Sequence, residues 1–330
     1  MDNTNFDPTN IGEETPKKSR VGFLGLIVFF AIGIFLLSNI APPKNFKEDT
    51  FIKVDSGTSL IALGSKLKTE NIIKSELLFQ AVVILFGNEK KVIAGEYYFE
   101  KPVSLFEVAR MVSIGDFNYK QIKVTIPEGY RRDEMAKLLE KSLPLFDASL
   151  FMTETKDLEG YLFPDTYFFS PNSTNKDVID RLKGEFDSVI GKYEDDILKS
   201  GKTKHEIITL ASIVEKEGNG EEDRPIISGI LLKRLSIGMA LQVDATFLYI
   251  NGKGSSELTK ADLKLDNLYN TYVYKGIPPG PIGSPGEDSI RAVLNPVTTD
   301  YLYYLHDKKG VAHFAKTYEE HLKNKRAYLD

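Results

Sequence analysis

The sequence predicts an α+β protein carried on a single N-terminal transmembrane helix. Three observations lead there. The run from Val21 to Ile40 is apolar and uncharged; a strand–turn–helix plan recurs between Phe51 and Ser142; and helical periodicity, broken by short strands and a β-hairpin, fills the rest of the chain.

The apolar run reads VGFLGLIVFFAIGIFLLSNI. At about 1.5 Å per residue, some 20 such residues cross a hydrocarbon core of roughly 30 Å. A signal peptide is the alternative, but its apolar stretch is only ~7–15 residues long and ends in an A-x-A site. SNIAPP offers no such site, and Pro42 and Pro43 would crowd a peptidase. The run is therefore expected to be an uncleaved anchor. Lys17, Lys18 and Arg20 precede it, and Lys44 and Lys47 follow it. That excess of basic residues favours a cytosolic tail, 1–20, with the remainder outside the cytoplasmic membrane. The tail is polar and is expected to be disordered.

The 330 residues allow two or three domains. Net charge is −5, with acids and bases interspersed, so no basic stripe points to nucleic acid. The absence of cysteine excludes disulfides, thiol nucleophiles and thiolate metal sites. His205, His306, His313 and His321 are too scattered for a zinc site, and no HExxH, GxGxxG or Walker pattern occurs.

After a linker, 41–48, residues 49–118 form a small α+β module. FIKVDSGTSLIALGSKLKTE reads as a strand, a turn at Asp55–Gly57 and a helix from Ser59; SELLFQAVVILFG is a strongly apolar helix, 75–87, too short to span; GEYYFEKPVSLFEVARMVSIG gives a strand at 96–100 and a helix at 104–112. The larger domain, 119–330, opens on a third strand–turn–helix: Ile122, Val124 and Ile126 alternate, and Met135, Leu138 and Leu139 mark a helix face. Helices follow at 204–217 and 222–236, the second closed by Gly238. LQVDATFLYI fits a helix start or a strand. In SPGEDSIRAVLNP, Ser284 is expected to cap, with Pro285 at the first helical position and Glu287 completing a capping box. YLYYLHDKKGVAHFA reads as a hairpin turning at 307–310, and TYEEHLKNKRAYL as a terminal amphipathic helix.

Three stretches have the composition of a site. In ITLASIVEKEGNG an apolar helix ends in Glu215 and Glu217. Either these are a solvated, salt-bridged helix end or one is a working acid. Ile208, Ala211 and Ser212 share the stripe beneath Glu215, a small apolar surface that would desolvate the carboxyl and leave room for substrate, as suits a general acid. Glu217 lies about 200° further round the helix, so the two cannot act side by side. In EGYLFPDTYFF, Glu159 and Asp165 interleave with Tyr161, Phe163, Tyr167, Phe168 and Phe169, as in a sugar cleft or in a buried core loop. LYNTYVYKGIPPGPIGSPG places Tyr269, Asn270, Thr271 and Tyr272 before a loop stiffened by proline, either a rigid cleft wall or a PxxP ligand.

EGYLFPDTY, LASIVEKE, RLSIGMALQVDAT, LYNTYVYKGIPPGPIGSPG and YLYYLHDKKGVAHF occur in this order. Together with the anchor they closely resemble the YceG-like (MltG-type) endolytic murein transglycosylases, over nearly the whole chain after residue 20. Val54, Gly57, Thr58, Ser59 and Leu60 resemble LysM, a small fold that binds N-acetyl sugars. The resemblance implies a YceG-like catalytic domain that cleaves the β-1,4 bond between N-acetylmuramic acid and N-acetylglucosamine within glycan strands. It implies a 1,6-anhydro end and control of strand length during wall synthesis. It makes Glu215, the first Glu of IVEKE, the catalytic residue. ALQVD is similar to a Gln-bearing sugar-binding motif of other lytic transglycosylases through Gln242, and YNTY to their Tyr-Asn motif through Tyr269 and Asn270. Glu159, Phe163, Asp165, Tyr167, Asp244 and Tyr272 complete the expected substrate-binding set. Expected partners are peptidoglycan strands, the cytoplasmic membrane and, as candidates, peptidoglycan synthases.

One acid suffices for the chemistry the resemblance implies, because the muramic acid C6 hydroxyl attacks its own C1 in place of water, so no metal or organic cofactor is expected. A hydrolytic muramidase would need a second carboxylate, for which Asp165 and Asp244 are available. A non-catalytic wall-binding scaffold would need neither.

Overall fold

The computed structural model describes residues 29–30, 33–34, 38–87 and 92–329. The expected membrane span, 21–40, lies for the most part outside the described residues, and so does the tail 1–20. Among the described residues no helix is long and apolar enough to cross a membrane. Contacts divide the chain into two units, Met1–Lys120 and Gln121–Asp330.

In the first unit β1 (Thr50–Val54) pairs antiparallel with β2 (Gly95–Phe99), with Ile52 opposite Tyr97. Alternation sends Ile52, Val54, Tyr97 and Phe99 into the core. Helices α1 (Leu60–Thr69), α2 (Glu76–Leu85) and α3 (Leu105–Ile114) supply its other side. Each starts on a serine, Ser59, Ser75 or Ser104, whose hydroxyl accepts a backbone N–H of the first turn. Gly115, at φ +70°, closes α3. The segment expected to be a linker, 41–48, is fixed rather than free. Phe46 is buried, Asn45 Nδ2 donates to Asn71 Oδ1 at 2.9 Å, and Lys47 pairs with Glu70 at 2.6 Å.

The second unit is mostly helical around two short sheets. β3 (Ile122–Thr125) pairs antiparallel with β4 (Thr166–Phe169), flanking α4 (Arg132–Ser142) and α5 (Ala148–Glu154). Then follow α6 (Asn175–Gly191), α7 (Glu194–Ser200), α8 (Lys204–Glu217), α9 (Asp223–Ser236), α10 (Ala245–Ile250) and α11 (Glu287–Leu294). The hairpin β5 (Tyr303–His306) with β6 (Ala312–Ala315) and the terminal helix α12 (Tyr318–Tyr328) complete it. The ambiguous LQVDATFLYI resolves as an irregular stretch, 241–244, followed by α10.

Helix α8 is the core. Thr203 and Glu206 form a reciprocal capping box at its start, and every residue from Ile207 to Val214 is buried. A helix apolar on all sides must be packed on all sides; α9, α10 and α11 lie against it.

The expected cap at Ser284 is not formed. Helix α11 begins three residues later, at Glu287, with Gly286 in the N-cap position. Ser284 is instead committed to a backbone pairing: its N–H donates to Tyr130 O at 2.8 Å and its carbonyl accepts from Gly129 N at 2.7 Å. The hydroxyl is buried without a hydrogen-bond partner. A side chain at Gly283 would stand 2.5 Å from the Gly129 carbonyl, so the two loops close only over a glycine.

The same test applies inside α9. A Cβ on Gly229 would lie 2.0 Å from the Val297 carbonyl oxygen, which belongs to rigid backbone. Alanine in a helix interior ordinarily stabilises by roughly 0.5–1 kcal/mol over glycine. Here overpacking wins: Gly229→Ala should cost about 1–3 kcal/mol, read as a lower denaturant midpoint with unchanged slope. A rise in stability would mean that the α9–Val297 contact is loose.

Candidate active site

The last turn of α8 sends three consecutive side chains in three directions, about 100° apart. Lys216 is exposed. Glu215 turns towards α9 and the start of α11. Its Oε1 accepts from Arg224 Nη2 at 2.7 Å and its Oε2 from the Gly286 N–H at 3.0 Å. The Glu215 side chain is 5% exposed and that of Arg224 14%, so this is a buried ion pair. Glu128 Oε2 lies 3.8 Å from the same guanidinium. Burial first, and the Glu215 charge second, push the Glu128 carboxyl above its ordinary value.

Glu217 turns the other way, into a cavity of about 540 Å³ lined by α8, α9, the 242–244 segment, Tyr272, the hairpin and α12. Its Oε2 accepts from the Tyr304 hydroxyl at 2.8 Å, and its Oε1 faces the Ala245 N–H at 3.4 Å. Burial dominates and raises its pKa, with the Asp244 charge adding to that; the two hydrogen bonds oppose it. Burial and the Glu217 charge likewise hold the Tyr304 phenol well above its ordinary range, so it stays a donor.

Around Glu217 the frame is rigid. The Gln242 N–H donates to Thr271 O at 3.1 Å and the Val243 N–H to Thr271 Oγ1 at 2.9 Å. This pins Gln242 at φ +47°, a conformation that non-glycine residues rarely adopt, and leaves its side chain exposed in the cavity. Asp244 Oδ1 accepts from the Tyr272 hydroxyl at 2.5 Å. Arg234 is buried; its Nε donates to Leu302 O at 2.7 Å and its Nη1 to Leu241 O at 2.6 Å, and it lies 5.3 Å from the Tyr303 ring centre. On Tyr303 stacks His321, ring centres 5.5 Å apart.

The structure therefore gathers Gln242, Asp244 and Tyr272 from the expected set, and joins them to Glu217 rather than Glu215. Glu215 does not line the cavity, and its seat is not the apolar surface expected of it, because Arg224 and the Gly286 N–H hold both of its oxygens. Asn270 is fully buried and knots its own loop: Nδ2 donates to Leu265 O and Leu263 O, and Oδ1 accepts from Tyr272 N. Tyr269 packs on Tyr249, ring centres 4.7 Å apart, and burial pushes its pKa up to about 12. In EGYLFPDTYFF the core loop is what forms. Phe163 and Tyr167 are buried, and the Tyr167 hydroxyl donates to Phe163 O at 2.7 Å. Their rings are occupied by packing and present no face to a sugar. Glu159 pairs with Arg132 at 3.4 Å at the start of α4, and Asp165 is exposed beside β4, its Oδ1 accepting from Thr166 N. Neither of these acids lines the cavity.

Tyr304 and Arg234 were not singled out from sequence. A signal for Arg234 exists: it continues the Ile227, Ile230, Leu231 stripe of α9, and a guanidinium on a buried stripe needs partners. Among the described residues no group of three or more His, Asp or Glu side chains could hold a metal ion.

The YceG-like family profile matches residues 52–327. This chain belongs to the YceG-like family. It is 32% identical over 313 residues to the endolytic murein transglycosylase of Bacillus subtilis, covering 87% of this chain and 86% of that one. It is 29% identical over 333 residues to the enzyme of the same name from Streptococcus pneumoniae, covering 88% of this chain and 60% of that one. A crystal structure of a yceG-like protein from Listeria monocytogenes superposes with a TM-score of 0.58 at 30% identity, over 84% of this chain and 99% of that one.

The buried ion pair can be tested on its own. Removing one partner leaves the other charge buried, which typically costs about 3–5 kcal/mol. Arg224→Ala should lose stability on that scale, and Glu215→Gln in the Arg224→Ala background should recover part of it. Denaturant unfolding of the two variants reads this directly, and no recovery would mean that the pair is not what holds this corner.

Proposed function

We infer that this chain is a lytic transglycosylase of peptidoglycan with Glu217, two residues beyond the expected Glu215, as its general acid and base. One observation carries the assignment. Glu217 is a carboxyl on the wall of a substrate-sized cavity, its pKa raised by burial, with a tyrosine hydroxyl as its closest partner. Family membership and the names of the relatives supply the reaction class.

The bond cleaved is the β-1,4 link between N-acetylmuramic acid and N-acetylglucosamine inside a glycan strand. Protonated Glu217 gives its proton to the leaving O4 as the C1–O4 bond breaks. The muramic acid C6 hydroxyl bonds to C1, and the Glu217 carboxylate takes that hydroxyl's proton. The product carries a 1,6-anhydro ring, no water is consumed, and the acid is regenerated. Because nucleophile and electrophile share one sugar, geometry supplies what a second carboxylate supplies in a hydrolase. Gln242 and the Asp244–Tyr272 pair flank the acid as hydrogen-bonding groups for sugar hydroxyls. Cleavage within nascent strands ends their elongation.

Val21–Ile40 holds the enzyme in the cytoplasmic membrane, with 41–330 outside; the uncharged run and the basic residues before it support this. The LysM-like module, 49–118, gives the strand a second point of contact ahead of the YceG-like catalytic domain, 119–330.

Glu217→Gln keeps size and hydrogen bonding but has no proton to give. A positioned acid is worth ~10²–10⁴-fold, so release of anhydro-muropeptides from purified wall should fall by that much, and Glu215→Gln should lose far less. The working form is protonated, so the rate should fall as pH rises through the raised pKa of Glu217, which sits above the ordinary carboxyl value of about 4.3. The same shift acts on stability. Wild type holds its full Glu217 contribution below the unfolded pKa and loses it as pH rises through the folded one, so Glu217→Gln should gain in relative stability over that window. Mass analysis of the products decides between readings. Reducing ends would favour hydrolysis assisted by Asp244, no release would favour a scaffold, and anhydro product from Glu217→Gln at the wild-type rate would remove Glu217 from the mechanism.

A further inference from the structure

Helix α2 has an apolar face that the core of its own unit does not use. It reads ELLFQAVVIL. Phe79, Val82 and Val83 point inward and are buried. Leu77, Ala81, Ile84 and Leu85 follow at i, i+4, i+7 and i+8, which places them on one stripe of the opposite side. All four are exposed, Leu77 by 80% and Leu85 by 81%, and Phe86 extends the patch past the helix end. A helix apolar on both sides is ordinarily covered on both sides, and an exposed stripe of this size marks a contact surface.

The structure also ties the start of this helix to the last residues of the expected anchor. Lys74, two residues before α2, donates from Nζ to the Ser38 carbonyl at 2.7 Å, in the last turn of the apolar run 21–40. The connecting segment is tied down at the turn between α1 and α2, through Asn45 to Asn71 and Lys47 to Glu70, with Phe46 buried between them. The chain therefore leaves the apolar run directly into the foot of α2, with no slack for the unit to drift away.

We propose that the outer face of α2, with Leu77, Ala81, Ile84, Leu85 and Phe86, is bedded in the phospholipid surface of the membrane that holds Val21–Ile40. This rests on the anchored topology proposed above and goes beyond it. At 10 residues α2 is about 15 Å long, too short to cross but long enough to lie in the headgroup and acyl boundary. The first unit is then docked on the bilayer at a fixed height, rather than swinging on a tether.

The chain contains no tryptophan, so one introduced residue reports alone. Leu85→Trp in the full chain is reconstituted into phosphatidylcholine–phosphatidylglycerol vesicles, with and without bromine on the acyl chains. Flotation reads the anchor, and tryptophan emission reads the face. Expected are flotation, a blue-shifted emission and loss of most of it on brominated lipid. Phe51→Trp, on the sheet face away from the helices and packed on Tyr98, should not be quenched by brominated lipid. Flotation with a water-like, unquenched Leu85→Trp emission would overturn the proposal and leave the anchor standing. So would a blue-shifted but unquenched emission, which would mean that a second copy, another protein or the chain's own second unit covers the face. Failure to float would sink the anchor, and the proposal with it.

Discussion

Burial of the Glu217 carboxyl against the Tyr304 hydroxyl is the contact on which the second unit's site depends. Helix α8 is apolar from Ile207 to Val214 and must be enclosed. Its acidic end can sit inside the fold only if something remote in sequence supplies a donor. Tyr304 does this from 87 residues away, in a two-stranded hairpin. An isolated hairpin of that size is marginal in water, and this one has support on two sides. The Arg234 guanidinium holds the carbonyl of Leu302 at the entry to β5, and α12 packs on both of its strands. The carboxyl is thus kept out of water by an element that is itself held by a buried arginine.

The other acid of the turn does a different job. Glu215, Arg224 and the Gly286 N–H join the end of α8, the start of α9 and the N-cap of α11 at one point. The partner loops close around it through the Gly129–Ser284 and Tyr130–Ser284 backbone bonds. A carboxylate at the N-terminus of α11 is also where the helix dipole favours negative charge. The cluster fixes where α8 ends, and so where Glu217 begins its reach into the cavity.

What the sequence made legible follows from distance along the chain. Helix α8 and the paired strands of the hairpin were readable because periodicity and turn signals are local. The buried fate of Phe163 and Tyr167 was not, because an aromatic loop reads alike whether rings face sugar or core; the β3–β4 pairing turns Tyr167 inward, and Phe163 packs among the helices around α8. The Ser284 cap failed for a related reason. Its spacing to Glu287 was right, but a long-range bond to residues 129 and 130 took its backbone first. The helical wheel correctly separated Glu215 from Glu217. It could not say which side the cavity lay on, since the elements that build it, α9, Tyr272, the hairpin and α12, arrive later in the chain.

The same wheel, read with its surroundings, explains why two glutamates two residues apart can be so unlike. Glu215 has a guanidinium at 2.7 Å. Glu217 has, among the described residues, no cation at hydrogen-bond distance. Its closest partner is a neutral hydroxyl, and Arg234, the nearby cation, spends two of its N–H groups on backbone carbonyls. Burial without a paired cation penalises the charged form, whereas a matched guanidinium offsets that penalty. The neighbouring acid, Asp244, is satisfied by Tyr272, whose phenol burial and that same hydrogen bond keep protonated. The site is therefore built from hydroxyls that hold their protons and one carboxyl with reason to hold its own. That is the arrangement a reaction with a single proton shuttle requires, and it comes from placing the cations of this region on structural carbonyls and on Glu215 rather than on the acid that faces the cavity.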